Sequence, residues 1–230
     1  MVTGAPPRPH RQPLPGMQPT RGEPSWPAAL AVVGAVILQM LLPQRFAPSP
    51  HWVLPAVELV LLAALTEANP RRMRRDHPAA RGGGLVLTGF LTVANGASAA
   101  LLVHAILYGT AGSNARQLLG SGAAIYATNI IAFALWYWEF DRGGPVSRSR
   151  GTRPYPDFLF PQMDSPQAAP HDWSPAFVDY LYLSFTNATA FSPSDAVPLT
   201  RWAKLLLMTQ SAVALFAVVL VVSRAINVLA

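Results

Sequence analysis

Residues 176–222 read AFVDYLYLSFTNATAFSPSDAVPLTRWAKLLLMTQSAVALFAVVLVV and contain a short apolar run, a polar break and a long apolar run. A helix that crosses a bilayer needs about 20 mostly apolar residues, so the first run is too short and the last is long enough. The break, FTNATAFSPSD at residues 185–195, is rich in hydroxyl groups and proline. Irregular backbone survives at membrane depth only where protein buries it or where it lines water. We therefore interpret residues 174–199 as a re-entrant helix and loop before a spanning helix at 202–224.

The composition of the whole chain is that of an integral membrane protein. Hydrophobic residues make up 51% of the 230 residues, mean hydropathy is +0.29, and only 12% of residues are charged. Soluble domains carry roughly 25% charged residues. The net charge of +6 comes from arginines between the apolar runs, which is typical of membrane proteins and argues against a nucleic-acid partner. We expect a multi-pass protein of the plasma membrane, in contact with membrane lipids.

Four further apolar runs precede this stretch and predict an all-α, polytopic membrane fold of about five transmembrane helices plus one re-entrant, pore-type helix-loop. The Pro-rich start, residues 1–26, is predicted to be a disordered tail, and residues 27–110 a three-helix transmembrane bundle. Residues 118–230 are predicted to form a pore-like module with an outer helix at 118–140, a loop at 142–173, the re-entrant segment and an inner helix. The four runs lie at residues 27–42, 52–68, 85–108 and 118–140.

The short run has a helix start signal at Ser174-Pro175, since serine is a good N-cap and proline is favoured in the first helical position. Asp179 in this helix is expected to pair with Arg201 or Lys204 as a packing contact. We expect no catalytic residues here, because a hydrolase triad would need a nucleophile in a strained turn such as G-x-S-x-G. The protein is therefore not expected to be an enzyme.

Residues 177–222 resemble the pore helix, selectivity filter and inner helix of tetrameric potassium channels, whose signature is of the type F-T-T-x-T-T-V-G-Y-G-D. Phe185 and Thr186 match its opening, and Thr189 falls on the threonine that begins the filter. The chain as a whole also resembles bacterial membrane proteins described loosely as ion-channel proteins, with the same FALWYWE and FTNATAFSP signatures. Ala190, Phe191, Ser192, Pro193 and Ser194 fall on T-V-G-Y-G, and Asp195 falls on the closing aspartate.

The sequence matches the channel signature on both sides of the filter but differs from it at the filter itself. Potassium filters use stacked backbone carbonyls, and glycines permit the required backbone angles. Here serines replace both glycines, and Pro193 has a fixed φ and no N–H. Hydroxyl groups of Thr189, Ser192 and Ser194, with Asn187 behind them, could line a wider hydrated pore, or Phe191 could form an apolar constriction. The resemblance implies a homotetramer that passes monovalent cations. The replaced filter implies that such a channel would not select strongly for potassium.

The inner helix would contribute Thr209, Gln210 and Ser211 to the pore lining. The alternative is a non-conducting membrane scaffold that uses a decayed pore loop to pack its helices.

The membrane orientation is left open by two conflicting signals. Arginines cluster in the tail, at residues 71–81 and at residues 142–153, and positive residues mark cytoplasmic loops. With five spans, this places the tail inside and brings the re-entrant loop in from the cytoplasm. The channel resemblance implies entry from outside.

Two polar groups lie within predicted spans. Glu58 is either an ion or proton site, or a structural group that hydrogen-bonds His104 or Asn95. His104 is expected to be a core or interface histidine. Glu139 and Asp141, which follow the aromatic WYW, are expected at a solvated helix end. No metal site or cofactor is expected, because no second histidine or carboxylate stands at ligand spacing.

Overall fold

The computed structural model describes residues 19–20, 22–68, 78–112, 114–170, 172–189 and 196–229. Most of this structure is helical, as the apolar runs predict. A two-residue antiparallel ladder joins β1 (Phe158–Leu159) to β2 (Val197–Pro198). The helices are α1 (Trp26–Met40), α2 (Val53–Ala68), α3 (Pro78–Leu107), α4 (Ala115–Phe140), α5 (Pro145–Arg150), α6 (Pro161–Asp164), α7 (Phe177–Thr189) and α8 (Arg201–Leu229).

Helix α4 lies at the centre of the molecule and packs against α1, α3, α7 and α8. Its side chains are buried along most of its length because it meets neighbours on several faces; Leu118 and Tyr137 are both 0% exposed. The Asn114 side chain caps its start by accepting a hydrogen bond from the Gln117 N–H at 3.1 Å. Because α4 is central, the position of each other element can be described by the end of α4 that it lies near.

Three helices in the described part of the chain are long and apolar enough to cross a membrane. They are α3 from Arg81, α4 continued through α5 to Arg150, and α8. Helix α1 is apolar but has only 15 residues, and α2 has 16. The count of about five spans therefore stays a prediction, which requires that the shorter helices α1 and α2 also cross the membrane.

Helix α3 begins at Pro78, earlier than the run at residue 85 predicts. Gly83 and Gly84 lie within it, and both allow close packing. A Cβ added at Gly83 would lie 2.9 Å from the Leu65 side chain, and one at Gly84 would lie 2.6 Å from the Glu139 carboxylate. These glycines therefore lie inside a helix at the points where it packs on α2 and α4, although their composition alone indicates a loop.

The segment predicted as a loop, residues 142–173, contains α5, α6 and β1. Phe158 of β1 is fully buried and meets the rings of Tyr137 and Trp202 with centroid separations of 5.4 and 5.7 Å. Since β1 pairs with β2, this aromatic contact holds residues 197–198 beside the end of α4 and the beginning of α8.

Helix α7 begins at the level of the end of α4 and ends near its middle. The Phe177 ring lies 5.9 Å from that of Trp138, and Ala188 packs with Ile130 and Ala214. Ile130 lies ten residues before the end of α4, which corresponds to about 15 Å of helix. The 13 residues of α7 thus run into the bundle, and β2 lies back at the end where α7 began.

The start of α7 differs from the prediction. The helix begins at Phe177 and not after Ser174, and the Asp179 carboxylate accepts a hydrogen bond from the Ala176 N–H at 2.8 Å. Asp179 therefore caps its own helix, and the prediction that it pairs with Arg201 or Lys204 was wrong. A carboxylate in the first turn accepts a hydrogen bond from a backbone N–H that has no partner within the helix. Its negative charge also interacts favourably with the positive end of the helix dipole.

Candidate functional site

The side chain of Gln210 joins three helices inside the predicted pore module. It is 0% exposed. Its Oε1 accepts hydrogen bonds from the Tyr137 hydroxyl of α4 at 2.5 Å and from the Asn187 amide of α7 at 2.8 Å. Its Nε2 donates to the hydroxyl of Ser184 at 2.6 Å and to the carbonyl of the same residue at 3.0 Å. Both the oxygen and the nitrogen of the amide have hydrogen-bond partners, which offsets the cost of burying this polar side chain between apolar helices.

The end of α7 is fixed to α8 by two further hydrogen bonds. The Asn187 Nδ2 donates to the Leu207 carbonyl at 3.0 Å, and the Ser211 hydroxyl donates to the Asn187 carbonyl at 3.2 Å. On the other side, the Ser184 hydroxyl donates to the Ile130 carbonyl at 2.7 Å. These contacts hold the residue that precedes the break, Thr189, in a defined place between α4 and α8.

The predicted pore residues fall into two groups. Ala190, Phe191, Ser192, Pro193, Ser194 and Asp195 lie outside the described residues. The Thr186 and Thr189 hydroxyls donate to carbonyls of their own helix, at Leu183 and Thr186. On α8, Thr209 is exposed, Ser211 is half-buried and Gln210 faces α4 and α7. The structure thus brings Asn187, Gln210 and Ser211 together, and leaves Thr209 on the outer surface of the protomer.

A buried ion pair at the end of α4 was not predicted. Arg148 of α5 is 4% exposed, and its Nη2 lies 2.9 Å from Oε1 of Glu23. The guanidinium also donates to the carbonyls of Trp138 and Asp141, while the Trp138 indole N–H donates to Glu23 at 2.6 Å. Glu23, assigned by sequence to the disordered tail, therefore belongs to the folded core.

Glu139 and Asp141 are both buried, so the prediction of a solvated helix end was wrong. Asp141 Oδ2 accepts from the Tyr180 hydroxyl at 2.6 Å, and Oδ1 accepts from the Asp157 N–H at 2.9 Å. Asp157 in turn accepts from the Trp202 indole N–H at 2.9 Å. Residues after α4 fold back over it instead of facing water, and they tie α4, α7 and α8 together at one end.

Glu58 is fully buried, and its partner differs from those expected. The Gln39 amide of α1 donates to its two carboxylate oxygens at 3.3 and 3.2 Å. The expectation of His104 or Asn95 as partner was wrong, because the hydrogen bonds of the Glu58 carboxylate come from Gln39 of α1. His104 is exposed on the protomer, where its ring lies 4.4 Å from that of Tyr108, so it is not a core histidine.

The outer surface of the module is strongly apolar. Val178, Tyr182 and Phe185 follow one face of α7 at helical spacing and are 53–60% exposed. The exposed side of α8 is also apolar and includes Leu205, Met208, Leu215, Phe216, Val219 and Ile226.

No group of three or more histidine, cysteine, aspartate or glutamate side chains within the described ranges could hold a metal ion. Comparison with known proteins adds no assignment: no family model, no curated protein and no solved structure matches the chain.

Proposed function

We propose that the chain is one subunit of a passive channel for monovalent cations, with α4, α7, residues 190–195 and α8 forming its pore module. One observation carries the proposal. Helix α7 ends near the middle of α4, and β2 returns the chain to the end where α7 began. In the proposed channel, the chain between Thr189 and Ala196 would connect these two points as a re-entrant loop, at a depth where only water or protein can satisfy its backbone.

The apolar outer surface of α7 and α8 supports an oligomer. One re-entrant loop encloses nothing, so a pore needs several copies around an axis, and closed rings are the ordinary solution. Val178, Tyr182 and Phe185 would pack against α8 of a neighbouring subunit, and Thr209 would then face the axis. We propose four copies, in line with the channel resemblance.

The proposed selectivity follows from the sequence of the loop. Serine at both filter glycine positions and Pro193 between them do not favour a column of stacked carbonyls. Hydroxyl groups would leave the ions partly hydrated, so potassium and sodium would pass at similar rates.

We propose five crossings in the plasma membrane, with α1 and α2 as short spans, and entry of the loop from the cytoplasm. Supporting charges are Arg81, Arg150, Arg153, Arg201 and Lys204, which belong to segments at the end where α7 begins. Arg45 and Arg116 belong to segments at the opposite end. The excess of positive residues favours the first end as cytoplasmic.

The second candidate function is that of a membrane scaffold which does not conduct. The inward direction of Gln210 favours it, because this amide is buried and makes its hydrogen bonds to α4 and α7, so it helps to pack helices together. A scaffold needs neither a ring of copies nor exposed hydroxyl groups.

Tracer flux into liposomes distinguishes the two candidates. We expect the reconstituted protein to pass potassium and sodium with rates within about tenfold of each other and to exclude chloride. The oligomeric state should be measured on the same preparation in mild detergent. A folded monomer without flux would support the scaffold and contradict the channel.

A further inference from the structure

A cavity of about 400 Å³ lies between α1, α2, α3 and the end of α4. Its walls are mainly apolar and include Val32, Leu62, Leu65 and Leu87. Cavities of roughly 300–1,000 Å³ with apolar walls and a few polar groups are typical of small-molecule sites. The size and lining therefore indicate a binding site.

Glu139 is the group that gives this cavity its chemistry. Its side chain lines the cavity and is 7% exposed. Among the described residues no N–H or O–H donates a hydrogen bond to its carboxylate. The nearby Arg148 guanidinium donates to Glu23 and to the carbonyls of Trp138 and Asp141 instead. Burying a carboxylate without a donor is costly, so the arrangement favours a ligand that brings a donor or a positive charge.

Two arginines supply the opposite charge to the same cavity. Arg81 of α3 and Arg153 of the segment after α5 both line it and are exposed, unlike Glu139. Guanidinium groups bind phosphate with strong, charge-assisted hydrogen bonds. One buried carboxylate beside two exposed guanidinium groups is complementary to a zwitterion that carries an ammonium group and a phosphate.

We propose that this cavity binds the headgroup of a phospholipid with a primary amine, the phosphoethanolamine class. The ammonium group would donate to Glu139, the phosphate would contact Arg81 and Arg153, and the first methylenes would lie against Leu62 and Leu65. A choline headgroup has no N–H to donate, and a glycerol headgroup has no positive charge. The proposal does not depend on ion conduction.

The test is the shift in melting temperature when lipid is added at equal mole fraction to the protein in detergent micelles. Phosphatidylethanolamine should raise the melting temperature at least twice as much as phosphatidylcholine or phosphatidylglycerol, because binding to the folded state stabilises it. Glu139→Gln should remove the difference between the lipids. Glu67→Gln, which neutralises an exposed carboxylate of α2, should keep it.

A second variant keeps the test decisive if Glu139→Gln does not fold. Leu62→Trp fills the apolar part of the cavity and leaves its charges in place, so the lipid-dependent shift should fall to that of phosphatidylcholine. Equal shifts for the three lipids, or an ethanolamine preference that survives both substitutions, would overturn the proposal. An equal shift from free phosphoethanolamine would overturn the lipid as the source of the ligand.

Discussion

Replacing Arg148 with methionine should lower the free energy of unfolding by about 3–5 kcal/mol, the usual cost of removing one partner of a buried ion pair. The substitution keeps most of the side-chain volume but leaves Glu23 with the Trp138 indole as its one donor among the described residues. It also removes the donors to the carbonyls of Trp138 and Asp141 at the end of α4. Chemical unfolding in mild detergent, followed by tryptophan fluorescence, measures the change.

Arg150→Met is the matched control, because Arg150 lies in the same short helix and is exposed. Arg150 makes an interaction at the surface, and its loss should cost at most about 1 kcal/mol, the usual size of an exposed charge pair. The double variant Glu23→Gln, Arg148→Met should lose much less than the sum of the two single changes, since the pair is removed together. Additive losses would show that the ion pair does not couple residues 22–25 to the fold.

Gln210→Leu should lower the free energy of unfolding by about 2–3 kcal/mol, because it leaves buried polar groups without partners. The Tyr137 hydroxyl loses its acceptor, and the Asn187 amide and Ser184 carbonyl each lose one hydrogen bond. Leucine has similar volume, so the loss reports hydrogen bonding and not a cavity. Thermal unfolding measured by circular dichroism checks it.

Thr209→Val is the control for Gln210→Leu. The Thr209 hydroxyl is exposed and donates to the Leu205 carbonyl of its own helix, so its loss should change stability little. If Gln210→Leu were as stable as Thr209→Val, the network would not be what fixes the end of α7. Since α7 carries the approach to residues 190–195, Gln210→Leu should also reduce flux.

The sequence predicts the helices well where a long apolar run decides them. The outer helix is expected at residues 118–140 and is found at Ala115–Phe140, and α8 begins one residue before the expected position. The prediction fails where packing overrides local preference. Gly83 and Gly84 belong to α3, where they lie against the side chains of Leu65 of α2 and Glu139 of α4, although the glycine run by itself indicates a loop.

The ion pair between Glu23 and Arg148 could not be predicted, because the two residues are 125 positions apart and neither lies in an apolar run. The segment around Arg148 is rich in glycine and proline, so it predicts a loop whose arginines mark the cytoplasmic side of the membrane. In the structure, the positive φ of Gly143 and Gly144 turns this segment back over α4, so the guanidinium reaches the core. Arginine spacing alone does not distinguish a buried charge from a solvated one.

The polar residues of α8 at the candidate site show a similar limit of prediction from sequence. Thr209, Gln210 and Ser211 are consecutive, so they point in different directions around the helix, about 100° apart. The sequence predicts a polar patch there, but only the contacts with α4 and α7 show that Gln210 faces inward and Thr209 outward.

The measurement that tests the channel most directly is thiol block of tracer flux through Thr189→Cys in liposomes. The chain has no cysteine, so the introduced thiol is the only one, and Tyr155→Cys, at a side chain 84% exposed, is the labelling control. We predict cation flux in both variants, with a charged thiol reagent blocking most of the flux through Thr189→Cys and none through Tyr155→Cys. Flux that persists after complete labelling of Thr189→Cys, or no cation flux from a folded oligomer, would contradict a pore lined by residues 189–195.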